Sequence, residues 1–249
     1  MRLHLFEFND QPWLPSAVRN ALTAYLYVAY RSTPFGRMFA QRVAALLSLT
    51  GSNNIVDLCS GYGGPVAIVK QELSKSGIDA HITMTDLFPH KGIDSGIEYW
   101  PEPVDARAVP KRFTGTRTMF ASFHHFRPAD AAQILRSAFE SRCPIGVFEV
   151  TARTWIGIPG AILIPFGVLL MTPRIRPVTA LQIVFTYLIP ILPLMIFWDG
   201  LVSQLRTYTP KELRKMTADL SAPNYEWDIG TMRVPGTPLS VPYLTGRPL

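Results

Sequence analysis

The stretch Ile55-Val56-Asp57-Leu58-Cys59-Ser60-Gly61-Tyr62-Gly63-Gly64 decides the fold. Its first four residues are a short apolar strand carrying an acid; the glycines then form a turn, and apolar positions at helical spacing run on through Leu73. Strand, glycine loop and helix in that order open an α/β unit. Downstream, His81 to Thr85 reads as a second strand ending at Asp86, and a third segment turns at Val104-Asp105-Ala106. Thr118 to Phe123 reads as a fourth strand, Asp130 to Ser141 as a helix with Ala132, Ile134, Leu135 and Ala138 apolar, and Ile145 to Val150 as a fifth strand. This alternation predicts a parallel sheet with helices on both faces.

In an open α/β sheet ligands bind beyond the carboxyl ends of the strands, so polar residues there are the informative ones. Asp57, Asp86 and Asp105 fall at three successive ends, spaced by 29 and 19 residues. A nucleoside spread across those ends would meet all three. A carboxylate at the second end can accept both ribose hydroxyl protons, and one at the third can accept from an adenine amino group. The glycines let the main chain approach the ligand closely.

The run Asp57 to Gly64 resembles the DxxxGxGG-like motif of class I S-adenosylmethionine-dependent methyltransferases. The likeness extends through Phe120-Ala121-Ser122-Phe123-His124-His125-Phe126, where that family has its fourth-strand motif, and to the closing segments; it covers about residues 50–153 and 206–249. It implies a Rossmann-like, seven-stranded, mostly parallel sheet whose last pair is antiparallel. It also implies S-adenosyl-L-methionine as cofactor, held by Asp57, Ser60, Gly61, Tyr62, Gly63, Asp86, Leu87, Asp105, Ala106 and Ser122. His124 and His125 fall just past the fourth strand and are candidates for a general base, since histidine titrates near neutrality; Glu149, Arg153 and Tyr208 are candidates for acceptor contact. Direct displacement at the sulfonium methyl requires no metal. Two other readings stay open: a subunit that binds S-adenosylmethionine without transferring methyl, and an NAD(P)-dependent oxidoreductase. The latter needs G-x-G-x-x-G under a pyrophosphate, and position 66 is Val.

On the amino side, Trp13 to Leu49 shows two helical runs joined at Ser32-Thr33-Pro34-Phe35-Gly36, a helical cap. Phe6 to Trp13 mixes acids with aromatics and has no assigned role. On the carboxyl side, Thr154–Pro173 and Pro177–Trp198 are uncharged runs of 20 and 22 residues, divided by Arg174-Ile175-Arg176. A bilayer-spanning helix needs about 20 apolar residues, but Gly157, Pro159, Gly160, Pro165, Gly167, Pro190 and Pro193 interrupt these runs and disfavour two clean spans. A broken hairpin lying in one leaflet, with Trp155, Tyr187 and Trp198 at the interface and the arginines on phosphates, is open. So is a lid over an apolar acceptor pocket, or a homodimer contact. Asp199 and Arg206, seven residues apart, would share a helical face as an ion pair. Thr209-Pro210-Lys211-Glu212 starts a helix running to Leu220, and Tyr225 to Val234 and Leu239 to Leu244 read as closing strands.

One domain is therefore expected over 249 residues: a cap (1–50), a cofactor core (51–153), an apolar insertion (154–206) and a closing helix and hairpin (207–249). With 48% hydrophobic and 17% charged residues the chain is greasier than a typical globular domain, and the acceptor is expected to be a hydrophobic or lipid-like small molecule. The net charge of +6 is scattered, which suits an anionic membrane surface better than nucleic acid. Cys59 and Cys143 have no metal or redox spacing. Glu7 and Asp10 among the first apolar residues argue against a secretory signal, so the expected location is cytoplasmic, with peripheral contact at the inner face of the membrane left open.

Overall fold

The computed structural model describes residues 2–89 and 96–249. Seven strands form one sheet in the order β3-β2-β1-β4-β5-β7-β6. The strands are β1 (Asn54–Leu58), β2 (His81–Thr85), β3 (Glu98–Tyr99), β4 (Thr116–Phe120), β5 (Ile145–Phe148), β6 (Tyr225–Arg233) and β7 (Ser240–Pro248). All neighbours are parallel except β7, which runs antiparallel to both β5 and β6. The order reverses beside β1, between β1 and β4, which is where such sheets open a crevice for ligands.

Period-two alternation in the central strands fills two cores. Ile55, Phe120 and Phe148 point to one face, against α2 (Phe35–Thr50) and α3 (Val66–Lys75). Val56, Met119 and Val147 point to the other, against α4 (Pro128–Glu140) and α9 (Pro210–Thr217). Burial on both faces is why β5, Ile145-Gly146-Val147-Phe148, reads as a continuous apolar run. Phe39 of α2 is fully buried, its ring 5.6 Å from both Phe120 and Phe148; a buried aromatic of this kind contributes about 1.5–3 kcal/mol. α4 buries Ala131, Ile134, Leu135 and Ala138. Gly36 lets α2 close on α3, since a Cβ there would stand 2.4 Å from Ile68.

A third, all-helical layer joins the cap to the insertion. Leu22 and Tyr25 of α1 (Ser16–Arg31) pack with Val168 of α6 (Ile164–Met171) and with Leu192, Met195 and Ile196 of α8 (Ile191–Arg206). Short turns, α5 (Gly157–Gly160) and α7 (Ala180–Ile183), complete the insertion. Gly157–Arg174 is a continuous helical stretch of 18 residues, mean hydropathy 1.4, long and apolar enough by composition to cross a membrane, with 17% of it buried in the protein. The second apolar run is bent by 81° between Ala180–Leu188 and α8, at the Ile189-Pro190 break.

Boundaries differ from expectation at two ligand-facing ends. β4 stops at Phe120, because Ala121 takes a left-handed conformation (φ 51°) and Phe123–His125 forms a 3₁₀ turn. The third strand is the two-residue β3, and Asp105 lies six residues beyond it, capping a second 3₁₀ turn. Thr209 caps α9 with Glu212 in a reciprocal capping box, as the sequence signals.

Candidate functional site

The glycine loop sits between β1 and α3 at the carboxyl edge of the sheet. Gly61 and Gly63 are left-handed (φ 51° and 81°), and nothing lies within 4 Å of where a Gly61 Cβ would stand. Cys59 is left-handed as well (φ 56°). With Ala121 this puts strained, non-glycine backbone at the ends of two adjacent strands, the kind of conformation that clusters at functional sites. Asp86 accepts from the Gly61 N–H at 2.9 Å and the Phe88 N–H at 2.9 Å, while the Tyr99 hydroxyl donates to the Gly61 carbonyl at 3.1 Å. The Val104 N–H donates to the Asp86 carbonyl, which seats Asp105 beside the same edge. Burial, then the charges of Asp86, Asp57 and Asp105, push the Cys59 thiol well up, so this cysteine is a packed thiol in a ring of three acids.

Asp57 is 1% exposed, and accepts from the Ser60 hydroxyl at 2.5 Å and the Thr118 hydroxyl at 2.8 Å. Burial outweighs those two bonds and lifts its carboxyl to about 7. Asp105 is held below the ordinary carboxylate range chiefly by the Arg107 side chain, which also reaches Asp130 at 2.9 Å. Ser122 Oγ is buried without a partner at the end of β4, as is Trp100 Nε1 beyond β3. Leu87 is 43% exposed and Phe88 73%. An open glycine cradle with acids at or just beyond successive strand ends fits a nucleoside with a charged amino-acid tail.

Beside the cradle, β4 and β5 bring a second set together. His124 is buried; its Nδ1 lies 2.7 Å from Glu149 Oε2, and its main-chain N–H donates to Glu149 Oε1 at 2.9 Å. An ionised carboxylate only accepts, so a neutral His124 ring carries its proton on Nδ1 and leaves Nε2 as the acceptor. Nε2 has no hydrogen-bond partner and lies 4.0 Å from Glu7. His125 pairs with Asp10 at 3.1 Å; burial lowers its pKa, but Glu7 and Asp10 overcome that and raise it to about 9. Buried Arg206 donates to Asp10 at 2.9 Å, pairs with Glu7 at 3.2 Å, and also reaches the Leu5 carbonyl. Glu7, His124 and His125 bring ligand-type atoms within 4.8 Å of one another, but Arg206 already supplies this cluster's positive charge.

A cavity of about 310 Å³ has His124 in its lining. Its polar floor is Glu7, Asn9, His124, His125, Asp199 and Ser203; its walls are Leu22, Tyr25, Leu26 and Ala29 of α1 with Ile164 and Ile196 of the insertion. Tyr30 lines it too, and that ring lies 3.8 Å from where a Gly64 Cβ would stand. Cradle and cavity therefore adjoin. A larger cleft of about 710 Å³, lined by Asn54, Thr116, Arg117 and Pro144 among others, lies at the amino ends of the strands, the edge opposite to the one where such sheets bind ligands.

Several sequence expectations are placed differently. Tyr208 is 3% exposed; its hydroxyl donates to the Phe126 carbonyl at 2.8 Å and its ring lies under the Arg2 guanidinium, away from the cavity. Arg153 pairs with Glu212 of the α9 cap. Asp199 does not pair with Arg206: it accepts from the Phe8 and Asn9 N–H groups at 2.6 and 3.1 Å, and burial lifts its carboxyl to about 6. Trp198 donates to the Phe6 carbonyl, so it clamps the N-terminal segment. Sequence reasoning missed Glu7, Asp10 and Tyr30 as site residues. The acid and aromatic mixture at Phe6 to Trp13 was the signal, but its partners lie more than a hundred residues away.

No protein-family model and no curated protein matches the chain. Solved structures resemble it. Human N-acetylserotonin methyltransferase with S-adenosylmethionine is 14% identical, covering 84% of this chain and 52% of that one, TM-score 0.46. A Nostoc punctiforme PCC 73102 protein designated an O-methyltransferase is 16% identical over 97% and 63%, TM-score 0.49. An enzyme described as catalysing a pericyclic reaction is 12% identical over 78% and 42%, TM-score 0.44. The chain spans between about two fifths and just under two thirds of these proteins' lengths. The assignment to the Rossmann-like fold of class I methyltransferases stands on the chain's own sheet order and antiparallel last strand.

Proposed function

We propose that this chain transfers a methyl group from S-adenosylmethionine to a protic group, such as a hydroxyl, on a hydrophobic small molecule. The observation that carries the reading is the buried His124 and Glu149 pair, whose imidazole lines an apolar-walled cavity adjoining the glycine cradle and whose Nε2 has no hydrogen-bond partner. Asp57, Ser60, Gly61 and Gly63 would hold the cofactor's amino-acid end, Asp86 its ribose and Asp105 its base edge; bound there, the cofactor supplies an electrophilic methyl.

The protein's own part is positioning and proton removal. Apolar walls from α1, α6 and α8 exclude water and seat the acceptor. His124 Nε2 would take the acceptor's O–H proton as the oxygen gains the methyl and the methyl–sulfur bond breaks to leave S-adenosylhomocysteine, and Glu149 would stabilise the imidazolium through the Nδ1–H bond. The proton then leaves to solvent. Glu7, 4.0 Å from Nε2, would join that relay through one bridging water.

Purified protein incubated with labelled S-adenosylmethionine and a panel of phenolic, long-chain and polar acceptors tests this. Transfer to apolar protic acceptors, lost in His124→Gln, is the expected result. Cofactor binding with no turnover of any acceptor would favour the non-catalytic binding subunit instead.

A further inference from the structure

We propose that the outer face of the insertion is a docking surface for an anionic lipid bilayer, on which the protein lies without crossing it. Ile162, Leu163, Phe166, Leu170, Leu188 and Leu194 are each at least 60% exposed. On the first helical stretch, positions 162, 163, 166 and 170 fall on one stripe, opposite the inner residues Ile164 and Val168 that face the cavity wall and the helical core. A stripe of large exposed apolar side chains of this kind marks an interaction site.

Charge selects the occupant. From Thr154 to Trp198 the chain has two charged residues, Arg174 and Arg176, and no acid. Both arginines are exposed, and among the described residues neither is in an ion pair. A two-fold dimer formed through this face would set it against itself, joining cations to cations with nothing to neutralise them. A lipid surface bearing phosphates satisfies both the apolar stripe and the arginines. Trp155, 85% exposed, and Tyr187, 49% exposed, are amphipathic side chains suited to the headgroup level.

The insertion's two ends argue for lying on the bilayer. The Thr151 and Thr207 hydroxyls meet at 2.6 Å, and Arg153 pairs with Glu212, so the chain leaves and rejoins the core at one point. Between them the first helical stretch is packed lengthwise on α1 and α8, and the second is folded by 81°. The same helices wall the cavity, so docking would bring the acceptor pocket to the membrane; that consequence alone rests on the proposed methyl transfer.

Vesicle flotation of the full chain separates the possibilities. Vesicles of phosphatidylcholine with 30 mol% phosphatidylglycerol, a ratio chosen as roughly physiological in surface charge, should carry the protein, and added salt should weaken the association. Leu170→Glu/Leu188→Glu should cut partitioning at least tenfold, and Arg174→Gln/Arg176→Gln should remove the preference over pure phosphatidylcholine. Both pairs are exposed, and unchanged S-adenosylmethionine binding by calorimetry would show that the cradle is intact. Failure of the wild type to float, equal flotation with neutral vesicles, or a dimer by light scattering that Leu170→Glu/Leu188→Glu converts to monomer would overturn the proposal and leave the methyl-transfer reading untouched.

Discussion

His124 Nδ1 and Glu149 Oε2 stand 2.7 Å apart in a buried site, and the second oxygen of that carboxylate holds the His124 main-chain N–H. One acid thus fixes both the tautomer and the orientation of the ring. Replacing His124 by Gln should lower kcat by about 10²–10⁴, the usual contribution of a positioned base. Glu149→Gln should cost roughly 10–100-fold, the scale of one lost charge-assisted hydrogen bond. Cofactor affinity should hold in both, because neither side chain touches the glycine loop. Equal losses of affinity and kcat would show these residues to be structural.

Asp86 accepts from the Gly61 N–H, so it shapes the cradle as well as offering a ribose acceptor. Asp86→Ala should weaken S-adenosylmethionine and S-adenosylhomocysteine binding by about 10–100-fold each. Calorimetry on the two ligands reads this directly. Unchanged affinity would move the nucleoside away from the second strand end.

Asp57 gives a pH signature. Its carboxyl lies near 7 in the folded protein against 3.8 ordinarily, so the folded state binds the proton more tightly than the unfolded state. The stability associated with this group is then fully present below about 4 and is lost as pH rises to about 7. For a group this buried the loss is on the order of 4 kcal/mol, and Asp57→Asn should flatten the wild-type decline in urea midpoint across that window. Cofactor affinity in the wild type should rise over the same range, as the acid ionises to meet the cationic amino group. An identical pH profile in the variant would place the titration elsewhere.

Local signals made much of the fold legible. Asp57 to Gly64 announced the first unit because strand period, glycine turn and helix period follow one another without tertiary help, and Thr209 to Glu212 announced a capped helix for the same reason. The closing hairpin was readable from its alternation. What escaped was assembled over distance. Nothing near Glu7 shows that it meets Arg206 and the histidines, and the pairing expected of Asp199 with Arg206 was correct in helical phase but lost to a competing segment. Main-chain N–H groups of Phe8 and Asn9 reach Asp199 first, and Arg206 turns to Glu7 and Asp10. The partner of Tyr208 was not legible either: its buried hydroxyl donates to the Phe126 carbonyl, 82 residues away in sequence.

That N-terminal segment supplies the last prediction. His125 is raised to about 9 because Glu7 and Asp10 outweigh its burial, so the folded state holds this proton more tightly than a free histidine with its pKa of 6.5. The stabilisation is fully present below about 6.5 and is lost as pH rises through 9. Asp10→Asn should bring the His125 titration, followed by the ring-proton shift in NMR, back toward neutrality. It should also shrink the fall in Tm between pH 6.5 and 9. Arg206→Met should act in the opposite sense on the histidine, since removing a neighbouring cation favours the imidazolium, while leaving Glu7 buried without its guanidinium and lowering stability by roughly 3–5 kcal/mol. If Asp10→Asn leaves the His125 titration where it was, the segment is not seated on the site in solution and Glu7 has no part in the proton relay.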